Sequence, residues 1–367
     1  MIKGKTVAVV IPAYNEEKQI TSVIETMPDF VDRIVIVDDC SSDQTSQVVR
    51  SIIDSGRVRG VPLPEGVKEF QRTKYNKADR FLKKLVELEA RRYTPAETYI
   101  GEEPGGKIVL IRHQVNASVG AAISTGYKWC RDQAIDCTAV MAGDGQMDPS
   151  ELESICLPIV DDADIDYVKG NRLSHRSAFF VVPKVRYFGN SILSLLTKIA
   201  SGYWRVSDTQ TGYTAIGLRA LNSIRIHDIY KSYGCPNDIL VKLNISFCTI
   251  KEIPIKPIYH VGEQSKMRVL KVIPRISLLL FKCFWKRLYV KYLFQDFHPL
   301  FLFYHLSFFM LVMDIPFFIQ VLQSLSPDVT LAMQNLVIFV FLTTGGLQSL
   351  FFAMWMDMTD NDRLQRL

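Results

Sequence analysis

The chain has 367 residues, 48% of them hydrophobic and 22% charged, with a formal net charge of +5 and a mean hydropathy of +0.10. It is too apolar for a disordered chain and too weakly basic to point to nucleic acid, and it holds one large domain with apolar sequence left over. Seven cysteines (40, 130, 137, 156, 235, 248 and 283), odd in number and with no Cys-x-x-Cys pair, argue against a disulfide framework or a zinc site and fit a reducing compartment.

Lys5 to Ile11 is a continuous β-branched run, the mark of a strand buried on both faces. It begins almost at once, so no signal peptide is expected before Val7. Pro12 stops the strand, Tyr14 offers a flat face for a base, and Glu16 can accept hydrogen bonds from base or ribose. A second strand, Arg33 to Val37, ends in Asp38 and Asp39, before a Ser-rich loop that caps a helix near Ser42 or Asp43. An acid at the end of a second strand is where nucleotide-binding α/β folds hold ribose hydroxyls. The first turn lacks the Gly-rich dinucleotide loop, which argues against a nicotinamide or flavin enzyme.

An insertion of about 56–106 follows, without strand signal. Leu82, Leu85, Val86 and Leu88 space one helix in it, and residues 57–92 carry eleven Lys/Arg against five Asp/Glu. It reads as a solvated basic helix or as a contact with anionic headgroups or a neighbouring subunit. Gly101 to Gly106 reads as a return loop before the strand Lys107 to Arg112.

Thr138 to Met141 is then an apolar strand running out into Gly143, Asp144, Gly145 and Gln146. One reading is an Asp-Gly turn after a strand. The other places Asp144 and Gln146 on one hard cation, Mg²⁺ or Mn²⁺, at a strand's carboxyl end, with Gly145 letting a diphosphate approach. Tyr167 to Arg172 looks like another strand ending in a cation, and Arg186 and Asn190 lie four apart on one helix face. Pro236, Asn237 and Asp238 open a further helix.

Val-Ile-Pro12-Ala-Tyr14-Asn-Glu16-Glu, then Ile-Val37-Asp-Asp39-Cys-Ser, then Asn116-Ala-Ser-Val-Gly120, then the Asp144-Gly-Gln146 block resemble the family 2 glycosyltransferases. Among these the chain is most similar to the polyprenyl- and dolichyl-phosphate sugar transferases, over roughly residues 5 to 266. The resemblance implies an α/β glycosyltransferase-A type domain with a mostly parallel sheet and helices on both faces. It implies that Pro12, Tyr14, Glu16, Val37, Asp39 and Gly143 hold the nucleotide-sugar with Asp144, and that Asp144 and Gln146 bind the metal. Ala142 stands where the family usually has a first Asp, leaving diphosphate oxygens and water to complete the shell.

Asp208-Thr-Gln210-Thr-Gly212-Tyr213 matches the family's Asp-x-x-x-Gly-aromatic block, so Asp208 joins Asp144 as a candidate catalytic residue; an N-capping Asp is the alternative. Arg172 and Arg186 match the arginines that grip the lipid phosphate, with Asn190 in place of Ser. Lys266 lies in a segment that resembles the closing loop over the diphosphate.

Two apolar stretches, 299–325 and 331–356, are each long enough to cross the ~30 Å hydrocarbon core. Asp314 is expected to face a partner helix or another subunit. Residues 264–291 carry eight Lys/Arg and no acid, so 263–296 reads as a basic interfacial segment that marks the cytoplasmic face. The expected organisation is a cytosolic domain 1–262, that segment, a transmembrane hairpin 297–357 and a cytosolic tail 358–367. The expected activity moves a sugar, with inversion, from a UDP- or GDP-sugar to a polyprenyl or dolichyl phosphate. Membrane lipids are expected partners, and a homo-oligomer is compatible. Its rivals are transfer to a neutral membrane lipid or a cell-envelope polysaccharide precursor, and a non-catalytic membrane scaffold.

Overall fold

The computed structural model describes residues 1–56, 73, 75–101, 106–181, 184–258, 269–325 and 332–366, with side chains at all of these except 179, 184–188 and 269–273. Among the described residues nine strands form one sheet: β1 (Val7–Ala13), β2 (Arg33–Asp38), β3 (Ala96–Tyr99), β4 (Ile108–His113), β5 (Cys137–Val140), β6 (Tyr167–Asn171), β7 (Thr214–Gly217), β8 (Ile250–Pro254) and β9 (Gln365–Arg366). Their order is β3-β4-β2-β1-β5-β7-β6-β8-β9. β4, β2, β1 and β5 are parallel, as are β6, β8 and β9; β7 is antiparallel between β5 and β6, and β3 is antiparallel to β4. The architecture is the α/β one that the resemblance implied.

The unbroken apolar runs have a plain cause. Val7, Val9, Ile11, Ile34 and Ile36 enter one core, while Ala8, Val10, Val35, Val37 and Val140 enter a second on the opposite face. Helices cover both faces, so the central strands are apolar over most of their length, and the few polar residues there, such as Thr138, are buried. Each fully buried Val or Ile contributes roughly 1.5–3 kcal/mol of transfer free energy. The carboxyl ends of β1, β2, β4, β5 and β6 therefore gather along one edge of a rigid platform. The start of β7 joins them, because Thr214 aligns with Val140 on one side and Lys169 on the other.

The insertion differs from expectation in one respect: Ala96–Tyr99 is a strand, pairing Ala96 with His113 and Tyr99 with Leu110. An exposed edge strand buries one row of backbone groups and needs no apolar alternation, which is why its sequence carries no signal. The expected helix forms at Lys77–Ala90 and buries none of its residues. Positions 57–72, 74 and 102–105 lie outside the described residues.

Beyond the sheet, the helix Val269–Tyr289 packs on the helix Lys184–Ser201 through Leu193, Ala200, Ile276 and Leu280. It passes through a π-helical turn, Val290–Gln295, into a first apolar helix, Leu300–Gln323. The second apolar helix is Met333–Asp362. Their most apolar windows have mean hydropathies of 1.8 and 1.9 but are only 17% and 11% buried. A core helix of a soluble domain would be covered, whereas these surfaces suit lipid. Asp314 turns inward within the hairpin, where its Oδ2 accepts from Thr343 Oγ1 at 2.6 Å.

The second helix does not stop at residue 356. It continues through Asp357, Asp360 and Asn361, and the segment expected to be a short tail returns to the sheet as β9, with Ile250 opposite Gln365. The turn at 326–331 lies outside the described residues.

Candidate active site

Three loops at the carboxyl edge are stitched together by short polar side chains. Asp38 is fully buried at the end of β2 and accepts from the Ser41 amide at 3.0 Å and from the Ser41 and Ser46 hydroxyls. Ser41 in turn accepts from the Asn15 amide at 3.0 Å, Asn15 Oδ1 accepts from the Ser42 amide at 2.9 Å, and Thr45 accepts from the Glu16 amide at 2.9 Å. The helix expected near Ser42 or Asp43 opens at Thr45, whose amide and hydroxyl both donate to Asp43.

Asp39 reaches the other way. Its Oδ1 lies 2.7 Å from His113 Nδ1 and accepts from the Ala117 amide at 2.9 Å, and its Oδ2 accepts from the Ser118 amide at 2.6 Å. His113, itself buried, is braced from behind by Thr125 at 2.9 Å. Asn15, Cys40 and Ser118 hold φ of +56°, +59° and +76°. Non-glycine residues in that region cost of order 1–3 kcal/mol each and persist where surrounding bonds over-determine them, typically at functional sites.

Tyr14, 40% exposed, stands at the mouth of this edge. Gly143 lies over Ile11 and Pro12. The Gln19 amide nitrogen, in the orientation that satisfies its neighbours, is 2.8 Å from the Asp144 carbonyl and 3.3 Å from Glu16 Oε2. The structure thus brings Pro12, Tyr14, Glu16, Asp39, Gly143 and Asp144 to one edge. Val37, at the end of β2, has its side chain fully buried in the second core, so only its backbone is available to this edge.

At the metal block, Asp144 Oδ1 accepts from the Gln146 amide at 3.0 Å, and Gly145 between them takes φ +74°. A Cβ at Gly145 would meet nothing within 4 Å, so the turn faces open space. Among the described residues no group of three or more His, Cys, Asp or Glu is gathered for a metal. One carboxylate and a nearby carboxamide fit a hard cation whose shell is completed by substrate oxygens and water, the usual condition for Mg²⁺ in nucleotide sites. The block is held in place by Tyr213 Oη, which donates to the Asp148 carbonyl at 2.9 Å.

The β6 end carries a different kind of centre. Asp208 is 0% exposed and grips Arg172 with both oxygens, at 2.8 Å to Nε and 3.1 Å to Nη2. It also accepts from the Arg172 amide at 3.1 Å and the Thr211 amide at 3.2 Å. Burial works to raise its pKa, but the charge and hydrogen bonds of Arg172 outweigh that and hold the carboxyl below the usual range. Asp208 thus holds the Arg172 guanidinium in one orientation, while the Arg172 side chain remains 23% exposed.

Lys169 and Glu252, which sequence reasoning missed, complete this centre. Glu252 accepts from the Ser207 and Asp208 amides at 2.9 and 3.2 Å and from Asn171 Nδ2 at 2.9 Å. Burial pushes its carboxyl up. Lys169 Nζ donates to the Thr211 carbonyl at 2.6 Å, and burial pushes its ammonium down to about 8. An apolar strand interrupted by Lys169 was the one signal available.

The Lys184–Ser201 helix abuts this loop, with Ser194 Oγ 3.1 Å from Thr209 Oγ1. Asn190, half-buried, lies one turn before Ser194. The side chain of Arg186 and all of Lys266 lie outside the described residues.

Lys169 gives a pH prediction. Unfolded, it holds its proton up to the ordinary 10.5; folded, it releases it near 8, so between those values folding expels a proton and stability rises with pH. Lys169→Met removes that contribution. The melting temperature of the wild type relative to the variant is expected to climb between about pH 7.5 and about pH 9.5. A constant difference across that range would contradict the assignment.

Residues 8–72 match the family described as Glycosyl transferase family 2. A UDP-N-acetylglucosamine–dolichyl-phosphate N-acetylglucosaminyltransferase of Methanococcus voltae is 28% identical over 288 residues, 78% of this chain and 96% of that protein. An uncharacterized protein of Methanocaldococcus jannaschii is 25% identical over 290 residues, 78% of this chain and 95% of that one. Glucosyl-3-phosphoglycerate synthase from Mycobacterium tuberculosis, solved with Mn²⁺, uridine diphosphate and phosphoglyceric acid, aligns at 16% identity with a TM-score of 0.46 over 77% of this chain and 78% of its own. The matched segment runs from β1 past the first two of the stitched loops, and together with the transferase relative it supports glycosyltransferase activity for this chain.

Proposed function

We propose that the protein transfers a sugar, with inversion, from a nucleotide-sugar to a polyprenyl or dolichyl phosphate at the cytoplasmic surface of a membrane. The observation that carries this reading is Arg172. It is a guanidinium locked by a buried carboxylate at the strand end two places from the Asp144 block, in a chain whose apolar hairpin packs onto the same domain. A planar fork held in one orientation suits bidentate recognition of a phosphate monoester. The activity named for the Methanococcus voltae relative supports the same acceptor class and makes UDP-N-acetylglucosamine the donor to try before GDP-sugars.

Tyr14 would stack on the base, and Glu16 would accept from base or ribose. Asp39, with both oxygens already bonded, would hold the 116–118 loop in register for the ribose. Asp144 and Gln146 would hold a divalent cation, Mg²⁺ or Mn²⁺, which when bound neutralises the departing nucleoside diphosphate. Arg172, with Arg186 and Asn190 on the neighbouring helix and Lys266 closing over the diphosphate, would fix the acceptor phosphate for attack on the anomeric carbon. A phosphate monoester is largely ionised at neutral pH and needs no base, which agrees with the absence of a free role for Asp208. The two apolar helices would anchor the domain within reach of a carrier whose tail stays in the bilayer, supplying proximity.

Membranes containing the protein, incubated with labelled UDP-N-acetylglucosamine and then other UDP- and GDP-sugars, are expected to place label in an acid-labile lipid. Absence of labelled lipid from every donor would defeat the reading. Asp144→Ala is expected to cut that labelling about a hundredfold or more, as loss of a group that stabilises the leaving charge does. Asp208→Asn is expected to raise the KM for the lipid phosphate while leaving nucleotide-sugar affinity within about twofold, since it loosens Arg172 and its loop and leaves the Asp39 and Asp144 edge intact. After a carbonate wash the chain is expected to stay with the membrane; release into the supernatant would remove the anchor.

A further inference from the structure

The second apolar helix ends against the glycosyltransferase domain, in a buried polar network. Arg287, on the Val269–Tyr289 helix, and Asp357, near the end of the second apolar helix, are both 0% exposed. They pair through two bonds, Nη1 to Oδ1 at 2.7 Å and Nη2 to Oδ2 at 2.8 Å. The same guanidinium donates from Nε to the Ala200 carbonyl at 3.0 Å and from Nη2 to the Ile199 carbonyl at 3.1 Å. Those carbonyls belong to the last turn of the Lys184–Ser201 helix, where orphan acceptors and the negative end of the helix dipole favour a cation.

The partners around the pair are equally committed. Lys291 donates to Asn361 Oδ1 at 2.6 Å and to Asn244 Oδ1 at 3.1 Å. The Tyr292 hydroxyl lies 3.0 Å from Asp357 Oδ1 and 3.1 Å from Asp360 Oδ2, and can donate to either. Gln365 of β9 donates to the Asn361 carbonyl at 3.1 Å and accepts from the Arg205 amide at 2.7 Å. Gly202 follows the helix with φ +78°, and a Cβ there would stand 2.6 Å from Arg287 Nη1. Glycine is required at that position for the guanidinium to reach the carbonyls.

An α-helix is stiff over this length, and Asn190 lies about 15 Å along it from Ala200 at 1.5 Å per residue. Whatever fixes the far turn fixes the turn that carries Arg186 and Asn190.

We propose that Arg287 and Asp357, with Lys291, Tyr292 and Asn361 around them, are positioning residues for the lipid acceptor. They tie the end of the Lys184–Ser201 helix to the membrane hairpin and so set the height of its acceptor-facing turn relative to the bilayer. The inference rests on the reading that this turn and Arg172 receive a lipid-borne phosphate.

The test uses the full chain reconstituted in bilayer discs, as wild type, Asp357→Asn, Gly202→Ala and the milder Tyr292→Phe. Two acceptors are compared: a long-chain polyprenyl phosphate held in the bilayer, and a short-chain prenyl phosphate that dissolves in water. Asp357→Asn and Gly202→Ala are expected to raise the KM for the bilayer acceptor about tenfold or more, with the short acceptor and nucleotide-sugar affinity within about twofold. Tyr292→Phe is expected to shift the same ratio in the same direction by less. Equal losses on both acceptors, or no loss on either, would overturn the proposal. Hydrogen exchange supplies an arm independent of activity: amides of residues 193–201 are expected to exchange about tenfold or more faster in Asp357→Asn than in wild type, and unchanged protection would also overturn it. If wild type labels no lipid phosphate at all, the proposed function has failed, and the exchange arm still decides whether the hairpin holds this helix.

Discussion

A carboxylate can be taken out of water only where donors already surround it, and three such groups arrange the working parts of this chain. Asp39 draws in His113 and the amides of Ala117 and Ser118, which fixes the loop after β4 against the end of β2. Asp208 draws in Arg172 and aims it from the end of β6. Asp357 draws in Arg287 and brings three helices to one point. In each case the apolar sheet supplies a rigid edge and the buried charge selects which loop or helix sits on it. Removing one partner of such a pair typically costs about 3–5 kcal/mol, because the survivor stays buried and unmatched.

What the sequence made legible follows from range. β1, β2 and β4 were readable because a strand covered on both faces is apolar over most of its length, and β5 and β6 from shorter apolar runs that end in polar residues. The Lys77–Ala90 helix and the two apolar helices were readable from spacing and length in the same way. Tyr14, Glu16 and Asp144 were readable because their residue types sit where strands end.

The remainder depends on contacts between distant positions, which no local pattern encodes. β9 pairs residues more than a hundred apart, and its two residues say nothing by themselves. Glu252 meets Asn171 across 81 positions, and Arg287 meets Asp357 across 70. Asp208 was marked by its motif, but its bond to Arg172, 36 positions away, was not. Asp314, an acid amid hydrocarbon, found its partner in Thr343 on the other arm of the same hairpin.

The placement of β9 carries a consequence for how the molecule is made. Its residues are translated after both long apolar helices, yet they complete an edge begun by residues 250–254. A nascent chain must therefore leave that border of the sheet open while the hairpin emerges, and can close it only once the second arm has come back. Assembly of the soluble half and settling of the greasy half become one event rather than two, so a defect in either is expected to strand the other unfinished.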